Sequence, residues 1–82
     1  MVDPILILIY EIVTNMVDTP MYVRVDRIES KTDITYHVFT KDGELGQVIG
    51  KGGELGNCIR KVIKCSAKKH GISKNVYLDI RQ

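Results

Sequence analysis

The segment from Val48 to Gly53, which reads Val-Ile-Gly-Lys-Gly-Gly, constrains the fold of this chain more than any other feature. Glycine costs about 1 kcal/mol relative to alanine inside a helix, so the three glycines of this segment interrupt helical structure. Apolar residues at helical spacing lie on both sides of it. We therefore predict a short helix that ends at Ile49, a loop at 50–53, and a longer helix from Glu54 to about His70.

The rest of the chain predicts one more helix and three strands. Asp3 and Pro4 are typical of a helix start, and the first helix is expected to end near Asn15. Alternating apolar and polar residues predict strands over 21–28, 34–39 and 76–81. The resulting order, αββααβ, predicts an α+β fold in which the helices pack on one face of a three-stranded sheet.

One face of each long helix is expected to enter the core. In the first helix the predicted buried stripe contains Ile5, Leu8, Ile9, Ile12 and Met16. In the last helix the shared face contains Leu55, Cys58, Ile59, Val62, Cys65 and Ser66. Both cysteines are therefore expected to be small buried core groups. They lie about 10 Å apart along a helix, which excludes a disulfide between them.

The loop at 50–53 has the composition of an anion-binding site. Glycines let backbone N–H groups approach phosphate oxygens, and the start of the following helix favours negative charge. Lys51 adds a mobile cation. The spacing excludes a Walker P-loop and a Rossmann G-x-G-x-x-G fingerprint, which also needs a preceding strand. A tight turn between two helices, without a ligand, is the structural alternative.

The loop and its neighbours match the signature of the KH family, an aliphatic-Ile-Gly-x-x-Gly stretch between two helices followed by an aliphatic position. The matching residues are Val48, Ile49, Gly50, Gly53 and Leu55. The αββααβ order is similar to the type II KH arrangement, and the chain resembles small bacterial RNA-binding proteins with a single KH domain. The resemblance covers nearly the whole chain and implies one KH domain over residues 1–82.

The resemblance implies a non-enzymatic protein, an RNA chaperone or post-transcriptional regulator, that clamps about four nucleotides of single-stranded RNA. The implied contacts are Val48, Ile49, Gly50, Lys51, Gly52, Gly53 and Gly56, with Ile59 and Ile63 in the groove floor and 70–74 in its far wall. Arg60 and Lys64 are candidate phosphate contacts because they lie near the loop end of the helix. Glu54 departs from the family pattern, which often has Arg or Lys there, and is expected to weaken binding.

Charge and composition agree with a nucleic-acid-binding domain. From Asp42 onward, Lys and Arg outnumber Asp and Glu by eight to four, which indicates a polyanion-binding face; an ordinary solvated helix surface is the alternative. The sequence has no zinc pattern, CxxC motif or nucleophile–base set, so we expect no metal, no cofactor and no catalysis. It predicts no signal peptide and no membrane span, and a cytoplasmic location is expected.

The first helix carries more apolar surface than one buried face needs. Leu6, Ile7 and Tyr10 lie outside the predicted stripe, and exposed apolar patches usually mark interfaces. The resemblance implies a homodimer or a complex with a second KH protein, and we expect this surface to take part. A KH fold that docks a protein partner through this helix, without binding nucleic acid, is the alternative function.

Overall fold

A computed structural model describes residues 2–80 of the chain. The helices are α1 (Pro4–Thr14), α2 (Leu45–Ile49) and α3 (Glu54–Lys69), and the strands are β1 (Arg24–Glu29), β2 (Asp33–Phe39) and β3 (Asn75–Ile80). Their order is the predicted αββααβ. Met1, Arg81 and Gln82, which include the predicted end of the last strand, lie outside the described residues. Within residues 2–80, no helix combines the length and the apolar character needed to cross a membrane.

The sheet has β2 at its centre, with β1 and β3 at its edges. β1 runs antiparallel to β2, so the two strands form a hairpin, and Val25 lies opposite Val38. A hydrogen bond from Ser30 N to Asp33 O (2.8 Å) closes its turn. β3 runs parallel to β2. Parallel pairing requires the chain to cross from one end of the sheet to the other, and α2 and α3 form that crossover.

One apolar cluster fills the space between the helices and the sheet. The strand residues in it are Ile34, Tyr36, Val38, Val76, Leu78 and Ile80. The helix residues in it include Ile5, Ile9 and Val13 from α1 and Ile59, Ile63 and Ala67 from α3. These strand positions alternate along β2 and β3, so they all lie on the face that the helices cover. The predicted α+β fold, with helices on one face of a three-stranded sheet, is confirmed.

The buried stripe of α1 is rotated from the predicted one. Val13 is fully buried, whereas Leu8 is half-exposed and is not part of the core cluster. The predicted stripe residues that contact the core are Ile5, Ile9, Ile12 and Met16. Leu6, predicted to point away from the core, packs against it. Because α1 is apolar on nearly all sides, its sequence pattern does not identify the buried face. The contact with the sheet determines which face is buried.

The first strand begins at Arg24 rather than at residue 21, because Pro20–Tyr22 forms a turn of 3-10 helix. Val23 N donates to Pro20 O (3.0 Å) and closes this turn. Met21, the apolar residue at the start of the predicted strand, is 83% exposed. Proline fixes φ near −65°, which suits the start of a helical turn. This explains why the alternating residues from Met21 onward do not form a strand until Arg24.

The long helix α3 buries a different face from the predicted one. Its buried residues are Gly56, Ile59, Ile63 and Ala67. The prediction that Cys58 and Cys65 are core groups is wrong, because both are exposed free thiols. Leu55 and Val62 are also 45% and 47% exposed. We call Leu55, Cys58, Val62 and Cys65 the α3 stripe.

Small residues explain which face of α3 turns inward. A Cβ on Gly56 would lie 3.5 Å from Ile80 Cδ1 and 3.7 Å from Ile49 O. The glycine therefore lets α3 approach both β3 and α2 closely, and the small side chain of Ala67 is buried further along the helix. A count of apolar residues by helical spacing gives small residues too little weight and selected the α3 stripe instead.

Tyr36 joins the core to the start of α1. Its hydroxyl donates to Asp3 Oδ2 (2.8 Å), and Asp3 Oδ1 accepts from Ile5 N (2.9 Å) and Leu6 N (3.2 Å) as the N-cap of the helix. Arg27 Nε lies 3.1 Å from the same carboxylate. Burial of the phenol and its bond to Asp3 raise the pKa of Tyr36 to about 12. One carboxylate therefore caps α1 and ties it to β1 and β2.

Tyr36→Phe is expected to lower the free energy of unfolding by about 1–3 kcal/mol at neutral pH, because the hydrogen bond it removes has a charged partner.

The unfolding free energy of the wild-type protein should also fall as the pH rises from 10 towards 12, because the unfolded state releases the phenol proton first. Below pH 10 this contribution is fully present. Urea unfolding on both sides of this window measures it; an equal alkaline loss in Tyr36→Phe would contradict the raised pKa.

Candidate functional site

The glycine loop, Gly50 to Gly53, lies at the surface between α2 and α3, as predicted. Gly50, Gly52 and Gly53 have φ values of 76°, 65° and 80°. Side chains on L-residues rarely permit such angles, which is why the loop is built from glycine. The loop therefore reverses the chain within four residues and starts α3 close to the end of α2.

Gly50 is the position of the loop that least tolerates a side chain. Its φ of 76° and ψ of 171° lie in a region that is essentially confined to glycine. A Cβ there would stand 2.7 Å from Leu55 Cγ and 2.8 Å from Leu55 Cβ. Gly50 N also donates to Gly46 O (2.9 Å), which closes α2. The backbone of the loop is therefore held on one side by α2 and on the other by Leu55.

Lys51 and Gly52 form the exposed tip of the loop. Apart from its two neighbours in the chain, nothing lies within 4 Å of the point where a Cβ on Gly52 would stand. Behind the tip, α3 starts at Glu54 without a side chain that caps its first N–H groups. A helix start carries partial positive charge, and Lys51 adds a full charge beside it. These groups together suit a phosphate, although the exposed carboxylate of Glu54 competes for the same positive end.

A groove follows the loop between α3 and β3. Arg60 lies in it half-buried, with Nε donating to Leu78 O (3.2 Å) and Nη1 to Asn57 Oδ1 (3.2 Å). Gly56 leaves room for this guanidinium, because a Cβ there would lie 3.3 Å from Nη1. A small cavity of about 60 Å³ is lined by Arg60, Ile63, Lys64, Val76, Tyr77 and Leu78. Since β3 is an edge strand, this wall presents backbone groups as well as side chains.

The predicted contact residues lie at two depths. At the surface, exposed or half-exposed, are Ile49, Gly50, Lys51, Gly52, Gly53, Arg60 and Lys64. Buried beneath it are Val48, Gly56, Ile59 and Ile63. In the predicted far wall, Ile72 and Lys74 line a cavity beside β3. His70 is exposed instead, with Nδ1 at 2.8 Å from Ser66 O. The buried group thus supports the loop and groove from below.

The contacts that hold α2 in place were missed from the sequence. Glu44, just before α2, accepts from Thr19 N (2.8 Å) and from Thr19 Oγ1 (2.5 Å). Gln47 accepts from Asp18 N (3.1 Å) and donates to Asp18 Oδ2 (2.9 Å). These four hydrogen bonds join α2 to the segment after α1 and so fix the helix that carries the loop. No local pattern signals them, because the partners are 25 and 29 residues apart.

The groups at this site have the chemistry of a nucleic-acid contact. Loop N–H groups, an ammonium and a guanidinium suit phosphate oxygens, and an apolar floor beside a strand edge suits bases. Within the described part of the chain, no three His, Cys, Asp or Glu side chains lie close enough to hold a metal ion.

The chain has the element order αββααβ, a glycine loop joins its second and third helices, and the helices pack on one face of the sheet. These features define a KH domain of type II. Residues 7–80 match the family model described as KhpA/KhpB, KH domain. The chain belongs to this family.

Several curated relatives share most of the chain. RNA-binding protein KhpA of Oceanobacillus iheyensis is 37% identical over 73 residues, which cover 89% of this chain and 95% of the relative. RNA-binding protein KhpA of Clostridium acetobutylicum is 33% identical over 73 residues, with the same coverage of both chains. RNA-binding protein KhpA of Mycobacterium leprae is 38% identical over 52 residues, 63% of this chain and 65% of the relative. No solved structure matches the chain significantly.

Proposed function

We propose that this protein binds single-stranded RNA through the glycine loop and the adjoining groove. The observation that carries the proposal is the loop itself, an exposed bend with Lys51 at its tip and the uncapped start of α3 behind it. KH domains clamp four backbone nucleotides with such a loop. The names of the relatives, RNA-binding protein KhpA, support the same ligand for this chain.

The groove beside the loop would hold the bases. Arg60 and Lys64 place positive charge along α3, and the edge of β3 faces them with apolar side chains and backbone groups. Base edges in an RNA duplex are already paired, so an unpaired strand suits this narrow cavity better. Ile49 and the exposed face of the loop would contact the first of these nucleotides.

We propose a non-enzymatic role in the cytoplasm, as an RNA chaperone or post-transcriptional regulator. Contacts to phosphates position a strand but carry no sequence information. A site in which the loop and two basic side chains supply the main attraction would therefore hold many unpaired sequences with little preference among them.

Affinity for a labelled oligouridine is expected to fall as salt rises, because phosphate contacts release counterions. Contacts from Lys51, Arg60 and Lys64 predict a slope of about −2 for log affinity against log salt, at about 0.7 per contact to a single strand. Fluorescence anisotropy across a salt series measures this slope. Affinity that does not change with salt, or equal affinity for a duplex of the same length, would contradict the proposal.

We further propose that the protein pairs with a second copy, or with a second KH protein, through a surface that includes α1. Ile7 and Tyr10 are 43% and 44% exposed, whereas Leu6 contributes less because it packs on the core. The α3 stripe adds exposed apolar side chains on a helix that packs against α1. Apolar surface of this extent on a small protein is typical of an interface.

Ile7→Glu combined with Tyr10→Glu is expected to convert a dimer into a folded monomer, because two carboxylates would be buried without partners. Light scattering across micromolar to millimolar protein measures the change, with Glu11→Ala as a control on an exposed polar position of α1. Val62→Glu tests whether the α3 stripe belongs to the same surface. A wild-type monomer throughout this range would refute self-association. A dimer without salt-dependent RNA affinity would favour protein docking as the function.

A further inference from the structure

Two exposed planar side chains lie on the face of the sheet that the helices leave open. Val38 is in the core, so alternation places Phe39 on the open face, together with Arg24, its partner on β1. Val23 is buried and its backbone is extended (φ −70°, ψ 130°), so Tyr22 and Arg24 both lie on the side away from the core. We call Tyr22, Arg24 and Phe39 the hairpin patch.

The planar groups of the hairpin patch are accessible to a flat ligand. Arg24 Cζ lies 4.3 Å from the centre of the Phe39 ring and the Arg24 side chain is 64% exposed, so the guanidinium has the ring on one side and solvent on the other. Its Nε donates to Asp26 Oδ1 (3.2 Å), which holds the group over the ring. Tyr22 is 57% exposed, although Lys41 Nζ lies 5.5 Å from the centre of its ring.

We infer that the hairpin patch stacks unpaired bases of an RNA strand that also occupies the glycine loop; this inference rests on the proposed function. Aromatic rings and arginine guanidinium planes are the groups on which proteins stack unpaired bases. Asp26 pairs with Arg24, so the patch attracts the strand by stacking rather than by net charge. Every base has a flat face, and the contact would therefore accept any of the four.

The short helix α2 connects the hairpin patch to the glycine loop. At its start, Glu44 N donates to Lys41 O (3.0 Å), and the carboxylate of Glu44 accepts from Thr19 N (2.8 Å). Thr19 O in turn accepts from Tyr22 N (3.1 Å). The loop begins at Gly50, where α2 ends after five residues, a length of about 7.5 Å. A stacked strand advances about 3.4 Å per nucleotide, so about two or three nucleotides beyond the four at the loop would reach the patch.

The test compares a tetranucleotide and a decanucleotide of uridine, by anisotropy on the full chain. Tyr22→Thr is expected to weaken decanucleotide binding about tenfold and to leave tetranucleotide binding nearly unchanged. Tyr22→Phe is the matched control, since it keeps the ring and should bind both oligonucleotides as the wild-type protein does. Arg24→Lys keeps the charge but not the plane, and should weaken decanucleotide binding several-fold.

A single indole reports the contact directly. The chain has no tryptophan, so Tyr22→Trp places one fluorescent reporter in the hairpin patch. A base that stacks on the indole quenches its emission. The decanucleotide is therefore expected to quench this variant at concentrations that fill the loop, and the tetranucleotide to leave its emission nearly unchanged.

The outcomes separate this inference from the proposed function. If the wild-type protein binds both oligonucleotides and Tyr22→Thr weakens decanucleotide binding no more than Tyr22→Phe does, the hairpin patch does not contact RNA and the loop site stands. Weaker binding by Tyr22→Thr without quenching in Tyr22→Trp would also overturn the inference, because the ring would then act from a distance. If the wild-type protein binds neither oligonucleotide, both proposals fall. Circular dichroism with thermal unfolding verifies that each variant folds.

Discussion

Replacing Lys51 and Gly52 together by aspartate is expected to weaken RNA binding by about 100-fold or more while the protein stays folded. The change removes the cation at the tip of the loop and sets two carboxylates where the phosphates would pass. A hydrogen bond with a charged partner contributes about 1.5–3 kcal/mol, and repulsion adds to its loss. Anisotropy with a tetranucleotide at fixed salt measures the effect at the loop alone.

The loop should accept these two side chains. Gly52 has φ 65° and ψ 14°, a left-handed conformation that aspartate adopts more readily than most residues, at a cost of about 1–2 kcal/mol. The space beside it is open. Far-ultraviolet circular dichroism and urea unfolding verify that the variant retains its fold.

The chain offers a matched control for this experiment before α2. Lys41→Asp with Gly43→Asp makes the same change in charge, and Gly43 also has a positive φ, of 88°, with open space beside it. This pair should leave tetranucleotide affinity within a few-fold of the wild-type value. If it weakened binding as much as the loop pair does, net charge would explain the loss and the glycine loop would not be the site.

Gly50→Ala is expected to lower the free energy of unfolding by about 2–6 kcal/mol, a large effect for the addition of one methyl group. Forcing an L-residue into this backbone conformation costs about 1–3 kcal/mol. The new methyl group would also stand 2.7 Å from Leu55 Cγ, and overpacking of this kind costs about 1–3 kcal/mol. Urea unfolding followed by circular dichroism gives the difference from the wild-type protein.

Two further variants separate strain from overpacking at Gly50. Gly46→Ala makes the same chemical change inside α2, where a new Cβ would meet nothing within 4 Å except the helix's own backbone and the two neighbouring residues, and should stabilise the protein by about 0.5–1 kcal/mol. Leu55→Ala in the Gly50→Ala background removes the contact with Leu55 Cγ but keeps the one with Cβ, so it should restore only part of the loss that comes from crowding, as a double-mutant cycle shows. Equal stability of Gly50→Ala and the wild-type protein would mean that the loop does not need this backbone conformation.

The order of elements and the position of the loop could be predicted from the sequence because their signals are local. Asp3 and Pro4 mark the start of α1, alternation marks β2 over Asp33–Phe39, and the glycines after Ile49 stop α2. Each signal involves residues within one or two turns of each other. The surface positions of Lys51 and Lys64 followed from the same local reasoning.

The faces that the helices bury could not be predicted in the same way. α1 is apolar on most sides, and α3 has apolar residues on two, so hydrophobic spacing fits more than one orientation. The close approach at Gly56 determines which face of α3 is buried, and this approach depends on Ile80 and Ile49, which lie on other elements. The hydrogen bonds from Glu44 and Gln47 to the segment after α1 could not be predicted either, because their partners are distant in sequence.

The parallel pairing of β3 with β2 places the far wall of the groove at a late point in the chain. A ribosome releases the glycine loop and Glu54–Lys69 before it releases Asn75–Ile80, so a nascent chain would hold the loop without the strand that faces it. Pairings between segments distant in sequence form late in folding. Under the proposed function, RNA binding would therefore begin only when Ile80 has left the ribosome, and an incomplete nascent chain would not bind the mRNA that encodes it.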